Sequence, residues 1–554
     1  VNLLSENTLH YKKELNSHSI DVLLGYTAEK TKNTVDQVTG QNYPTDKIRT
    51  LNNALTILKN FPAGDPATYG VKSSIGLLSY LGRVNYSFKD KYLVSASFRK
   101  DGSSYFGPGQ KWGTFPAASL GWKANKEEFF SKTDWLNKLL FRASYGVSGN
   151  NKILDYGFVD LLTPTNYAIG SGTGSTVSGQ IPSTSILANP DITWERTFQT
   201  NLGLDLSVLN NRLNLTVDVY QSKTDRLLLQ QAAMAVTGVL FNWNNIGSLN
   251  NKGFEIELSS TNFKTKDFKW TTAANISHTE NKVRELGKEK FIRNTGEKGD
   301  VFQTKVGDPL VQFYGYKTDG IWISAAEIAA SGLTSPLANV LTPGGLKFVD
   351  INGHHIDSVT GDLIIDEGQP DGILDIYDKT VTGNPYPDFT WGVTNTFTFK
   401  SVDLSFSWQG SQGGQLLNGD PKYGDVRQYN TNYNTNRWVN EANPGDGKTP
   451  YEDKGFAEWS QTDYVVEDAS YFALRDVNLG YTLPVVFIKQ LGLSSLRMYS
   501  SLQNIYFHSA KSYRGINPES RRKQEQYSNS LIDGYQRGGF PIPKTIVFGI
   551  DINF

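Results

Sequence analysis

Apolar and polar side chains alternate along the whole chain. Leu213, Leu215, Val217 and Val219 alternate with Asn214, Thr216 and Asp218. Val402, Leu404, Phe406 and Trp408 alternate with Asp403, Ser405, Ser407 and Gln409. Phe254, Ile256 and Leu258 face one way, with Glu255, Glu257 and Ser259 the other, and the final stretch runs Ile546, Phe548, Ile550, Ile552, Phe554. Period two marks a strand whose two faces meet different surroundings. It predicts fifteen strands, at 7–15, 19–30, 78–88, 91–101, 112–123, 139–148, 196–208, 212–223, 249–262, 268–282, 389–399, 402–410, 471–483, 495–507 and 545–554. Strands of about ten residues suit a tilted membrane crossing better than the five or six usual in soluble sheets. The charged polar face suits a water-filled lumen. A soluble β-sandwich also alternates, and strand length weighs against it.

Short and long connections take turns. Tight turns are predicted at Leu15–Ser19, Lys89–Lys91, Leu209–Arg212, Lys264–Asp267 and Lys400–Val402. Long segments rich in Gly, Asn and Ser are predicted as loops at 31–76, 102–111, 149–194, 225–246, 284–388, 412–468 and 509–543. That asymmetry is the habit of outer-membrane barrels, with short periplasmic turns and long outer loops. The expected fold is therefore all-β: a transmembrane antiparallel β-barrel, with one short helical piece near Ser324–Ser331. Single-chain bacterial barrels have an even number of strands. An odd count, with a first strand running downward into a tight turn, predicts an odd number of strands upstream.

Composition narrows the class. The 554 residues include 54 Lys+Arg and 55 Asp+Glu, a balance that removes the electrostatic case for a general nucleic-acid binder. Cys is absent, which excludes disulfides, zinc–thiolate sites and a cysteine nucleophile. Mean hydropathy is −0.41, and no apolar run approaches the roughly 20 residues of a spanning helix. The 11 Trp, 28 Tyr and 29 Phe suit β-structure with aromatic belts. Trp122, Trp194, Trp243, Trp270, Trp391 and Trp408 fall near strand ends and are expected at headgroup level.

Chemistry-bearing patterns are sparse. The six histidines, His10, His18, His278, His354, His355 and His508, form neither HExxH nor a serine triad, so no enzyme is expected. The acidic segment 350–378 places Glu367, Gln369, Asp371, Ile373, Asp375 and Asp378 at positions 1, 3, 5, 7, 9 and 12 of an EF-hand-like loop, with Gly372 at the turn. Calcium needs several hard oxygens on a sharply turning loop, so these six are the candidate metal ligands. A solvated acidic loop is the alternative. Clustered loop aromatics, Tyr105 and Phe106 in one loop and Tyr423, Tyr429, Tyr433 and Trp438 in another, are candidate ligand platforms for sugar rings or peptide side chains. Packing of the loops on themselves or on a lid is the alternative there.

The chain resembles the C-terminal barrel portion of TonB-dependent outer-membrane transporters of the SusC/RagA type found in Bacteroidetes. The likeness is carried by Leu81–Gly82–Arg83–Val84–Asn85–Tyr86 with Lys91–Tyr92–Leu93, Arg99–Lys100–Asp101–Gly102–Ser103–Ser104, "WGTFPAASLGW" from Trp112 and "FRASYGVSGN" from Phe141. Further matches are Asn189–Pro190–Asp191–Ile192–Thr193–Trp194–Glu195, Asn251–Lys252–Gly253–Phe254–Glu255, "GNPYPDF" from Gly383, Tyr471–Phe472–Ala473–Leu474–Arg475–Asp476, and the terminal Phe554. The resemblance implies a 22-strand barrel of which fifteen strands are present. The remaining strands and the N-terminal plug would be a companion segment. It also implies TonB as energy source, a SusD-like surface lipoprotein as lid, and uptake of a bulky nutrient, glycan or peptide, across the outer membrane. The resemblance implies a calcium-type stretch D-x-N-G-D-G, which is split here by an insertion after Asp350–Ile351–Asn352–Gly353. A passive porin and an adhesion barrel that moves nothing are the rival functions.

Overall fold

The computed structural model describes residues 1–45, 50–51, 54–58, 68–130, 133–152, 157–160, 162–168, 176–182, 186–232, 236, 238–239, 241–296, 299, 301–420, 436–451, 461–489, 492–523 and 529–554. Fifteen long strands dominate it. They are β1 (Asn2–Leu15), β2 (His18–Gln41), β3 (Thr68–Phe88), β4 (Tyr92–Ser103), β5 (Trp112–Lys123), β6 (Leu136–Asn150), β7 (Glu195–Val208) and β8 (Leu213–Ala232). The series continues with β9 (Phe241–Lys264), β10 (Phe268–Leu286), β11 (Phe389–Phe399), β12 (Val402–Gln412), β13 (Tyr471–Thr482), β14 (Ser495–Ser509) and β15 (Thr545–Asn553). They form an antiparallel sheet in which each strand pairs with its successor. Among the described residues no helix is long and apolar enough to cross a membrane, which leaves crossing by strands untouched.

By contact density the chain divides into two compact units. The first comprises 1–123, 142–201 and 222–248, and the second 124–141, 202–221 and 249–554.

The tight turns form where expected. Lys89 and Asp90 both take positive φ, 51° and 50°, the two-residue hairpin geometry whose twist matches flanking strands. Asn16 and Lys400 are likewise left-handed in their turns.

Strand lengths at the loop end require correction. β2 and β3 stay paired out to Val38↔Thr68, so both ends of the predicted 31–76 loop are strand. β8 and β9 also run on into the predicted 225–246 loop. A paired hairpin with water on both faces keeps its ladder hydrogen bonds but loses the apolar alternation that reveals it.

Much of 284–388, 412–468 and 509–543 is not loop but a packed core in the second unit. Phe302, Val311, Phe313, Tyr316, Ile321, Val340, Leu346, Phe348, Leu374, Leu417, Val465, Ile532 and Tyr535 are all buried together. Short strands from distant segments frame it: Gln415–Asn418 pairs with Val466–Asp468 and, in parallel, with Tyr535–Gln536. The helix expected near Ser324 is α1 (Ala325–Ser331), where the Ser324 hydroxyl accepts the Glu327 N–H as N-cap.

Candidate functional site

In the first unit, register lines up two aromatic rows on one face of β2–β5. At the tight-turn end His18, Phe88, Tyr92 and Trp122 are successive cross-strand partners. At the loop end Tyr26 pairs with Tyr80, Tyr80 stacks on Trp112 with ring centroids 6.2 Å apart, and the Lys100 ammonium sits 5.3 Å from the Trp112 ring. Between the rows lie Val84, Val94, Ala96, Phe98, Ala118 and Leu120. From Trp112 to Trp122 the chain advances ~34 Å at ~3.4 Å per residue, or ~26 Å along the normal of a strand tilted by ~40°. That matches the height of an outer-membrane barrel's apolar band, about 25 Å. The opposite face is wet: Arg99 pairs with Asp101 at 2.8 Å, and Ser95 donates to Asn85 at 2.7 Å.

The second unit repeats the arrangement. Trp270 stacks on Phe397 at 5.5 Å, and Trp408, Phe472, Tyr506 and His508 touch one another at the loop end. On its polar face Arg497 binds Asp403 at 2.7 Å, and Lys138 binds Asp205 at 2.8 Å. Two of the six expected belt tryptophans are elsewhere. Trp194 is 4% exposed and donates its indole N–H to the Lys111 carbonyl, and Trp243 packs against the same cluster.

The expected aromatic platforms divide as follows. Phe106 is wholly buried among Phe115, Ile192, Trp194 and Leu228, so its ring fills a core and offers no face to a ligand. Its neighbour Tyr105 is half-buried, with its backbone N–H on the Ser103 hydroxyl. Trp438 is half-buried against the large core of the second unit, edge-on to Tyr451, and donates to the Ile323 carbonyl at 3.1 Å. Tyr423, Tyr429 and Tyr433 lie outside the described residues.

The acidic loop uses its carboxylates on its own backbone. Asp378 is fully buried and accepts from the N–H groups of Ile351, Asn352 and Asp375. Asp375 caps the short turn 376–378 through the Tyr377 N–H, and Asp371 accepts from Ile373 N–H. Glu367, Gln369 and Ile373 are exposed. The EF-hand register is thus not assembled around one centre. Among the described residues no group of three His, Cys, Asp or Glu is arranged to hold a metal ion. Sequence spacing identified a loop that turns sharply around carboxylates, but the groups those carboxylates bind are peptide N–H donors.

Asp350 closes the same turn by accepting the Gly372 N–H at 2.7 Å. Burial, followed by the charges of Asp378 and Asp371, lifts its carboxyl above the usual carboxylate range. A raised acid in the fold contributes stability at low pH that is lost as pH rises through its folded value. Asp350→Asn should therefore raise the melting temperature of the loop-end core at pH 7, with the gain shrinking as the sample is acidified toward pH 4. Scanning calorimetry at the two pH values reads this; an Asn variant less stable at pH 7 contradicts it.

A sheet with one belted apolar face, one charged face and elaborate connections at a single end defines an outer-membrane β-barrel wall. The chain belongs to the TonB dependent receptor-like β-barrel family, whose model matches residues 4–321. It is 30% identical over 564 residues to TonB-dependent receptor P3 of Formosa agariphila, covering 100% of this chain and 52% of that protein. It is 28% identical over 501 residues to TonB-dependent receptor SusC of Bacteroides thetaiotaomicron, covering 86% of this chain and 44% of that one. The chain thus spans about half the length of the curated relatives it matches. Among solved structures, the RagAB peptide transporter superposes with a TM-score of 0.78 at 22% identity, over 100% of this chain and 55% of its own. At that identity the likeness concerns the fold.

Proposed function

We propose that the chain forms wall and outer rim of an energised importer for a bulky nutrient, an oligosaccharide or a peptide. The observation that carries this is the charged, polar face of the strand sheet combined with membership of a family named for dependence on TonB. Relatives named SusC and RagAB support the reading, the second described as a peptide transporter. In it, TonB supplies the work and a SusD-like lipoprotein covers the loop end. A companion segment with the plug and further strands pairs along β1 and β15, whose residues are exposed for nearly their whole length.

Uptake of a labelled cargo by whole cells tests the proposal. Deleting the receptor should abolish uptake, and a protonophore should do the same in the wild type. Uptake that survives the protonophore identifies a passive pore, and uptake that survives deletion identifies a scaffold or adhesion barrel.

A further inference from the structure

We infer that a groove on the belted face of the first unit, just outside its outer aromatic row, binds the phosphorylated headgroup of an outer-leaflet glycolipid. The groove is on the face opposite Arg99 and Asp101. It therefore concerns how the receptor is held in its membrane and is independent of the cargo.

The groove encloses about 500 Å³, within the roughly 300–1,000 Å³ of small-ligand sites. Register places it. Ala28 opposes Leu78, Leu78 opposes Gly102, and Gly102 opposes Trp112, one step outside the pair Tyr26 and Tyr80. Lys30 opposes Gly76 in the next step of the same face. Two glycines thus stand where side chains would otherwise fill the face. A Cβ on Gly102 would come within 2.9 Å of the Trp112 ring, so glycine there lets the indole lie across the neighbouring strand. A Cβ on Gly76 would meet nothing nearer than the Glu29 carbonyl oxygen at 3.9 Å, so the space above it is open.

The two ends of the groove differ in chemistry. Ala28, Leu78 and Trp112 wall the inner end, continuous with the apolar belt. Lys30 and Ser104 flank Gly76 at the outer end. The Ser104 hydroxyl accepts the Gly76 N–H at 2.8 Å and keeps its own hydrogen to donate. Lys30 is exposed, as is Lys32, which follows it on the same face, and Lys100 adds an ammonium 5.3 Å from the Trp112 ring. The acid beside the groove, Glu29, is engaged on the other face, where it accepts from Asn2 at 3.0 Å and from Thr31. The next acid on this face of β2 is Asp36, ~14 Å further along the strand than Lys32.

Depth selects the ligand. Lys30 lies four residues outside Tyr26, ~10 Å along the normal of a strand tilted by ~40°. Each headgroup layer adds about 5–8 Å to the hydrocarbon core, so a flexible lysine at that height reaches the headgroup phosphates. Ammonium and hydroxyl donors there match phosphate oxygens through charge-assisted hydrogen bonds. The apolar inner end takes the start of an acyl chain, which a free phosphate lacks. The space also admits a sugar ring beside the phosphate, and the phosphate-bearing lipid of a bacterial outer leaflet is a glycolipid.

The test uses the full-length receptor, stripped of lipid in a neutral detergent. Native mass spectrometry follows its binding of phosphorylated lipid A, of the same lipid A after dephosphorylation, and of phosphatidylglycerol. Phosphorylated lipid A should bind at least about tenfold more tightly than either of the others, the worth of a single hydrogen bond to a charged group. Lys30→Gln with Lys32→Gln should remove most of that preference and leave the dephosphorylated lipid unaffected. Gly76→Leu, which fills the groove and keeps every charge, should weaken lipid A with or without phosphate. Heat-dependent gel migration verifies that each variant is a folded barrel. Equal binding of phosphatidylglycerol, binding indifferent to phosphate, or unchanged binding in either variant overturns the glycolipid site. Displacement of lipid A by inorganic phosphate beyond that caused by chloride at equal ionic strength also overturns it, in favour of a free anion. Energised uptake of labelled cargo should persist in both variants, so the site can fail while the importer stands.

Discussion

Arginine at position 84 is expected to destabilise the folded barrel by about 2–4 kcal/mol in a bilayer, the cost of a cation on the lipid face near the midplane. Val84 lies four residues from Tyr80 and four from Phe88, the members of the two aromatic rows on β3. It is as far from either headgroup layer as that strand allows. Neither row offers a nearby route by which the long side chain can lift its charge into water without displacing packed rings. The control is one residue away. Asn85 belongs to the wet face, where it already accepts the Ser95 hydroxyl, so Asn85→Arg should cost far less. Denaturant titration of the full receptor refolded in lipid vesicles gives both values. Equal losses at the two positions would reverse the assignment of faces.

Phe313→Ala is the second large effect, at about 3–5 kcal/mol for a buried aromatic truncated in a close-packed core. The ring is wholly buried, meets Phe302 edge-on with centroids 6.0 Å apart, and lies against Gly534. Gly534 has φ 82° and holds the ladder that joins Leu417 to the last outer segment, through the Leu417 N–H on the Gly534 carbonyl. Truncating the ring thus removes contacts from three chain segments at once. Limited proteolysis should cut the outer segments of the variant well before the membrane strands. Cleavage at the wild-type rate would show that the segments are held by something other than this core.

The membrane strands were legible because lipid and lumen impose opposite demands on successive side chains. Leu404 and Phe406 against Asp403 and Ser405 can be read with no knowledge of partners. The same strands beyond the belt were not legible, because water on both sides removes the contrast while the ladder continues. The loop-end core was hidden for a different reason. Gln312–Gly315 is too short to show a period, and its burial depends on residues as remote as Ile532. Phe106 was misread similarly: its sequence neighbours are Tyr105 and Gly107, but the groups that cover it are Ile192, Trp194 and Leu228. Alternation did place Glu257 on the polar face. It could not show the bulge at Arg475, where Leu474 and Asp476 of β13 oppose the adjacent Trp408 and Ser407 of β12, since an extra residue breaks the very period used for reading.

The interleaving of the outer core has a bearing on biogenesis. Phe302 and Phe313 precede Leu417, and Ile532 and Tyr535 follow nearly all the remaining strands. As the polypeptide is made, the early aromatic residues are therefore covered completely only after the segments that carry Leu417, Ile532 and Tyr535 have followed. Completion of that core is thus tied, in sequence order, to the strands β12 to β14 that lie between its members.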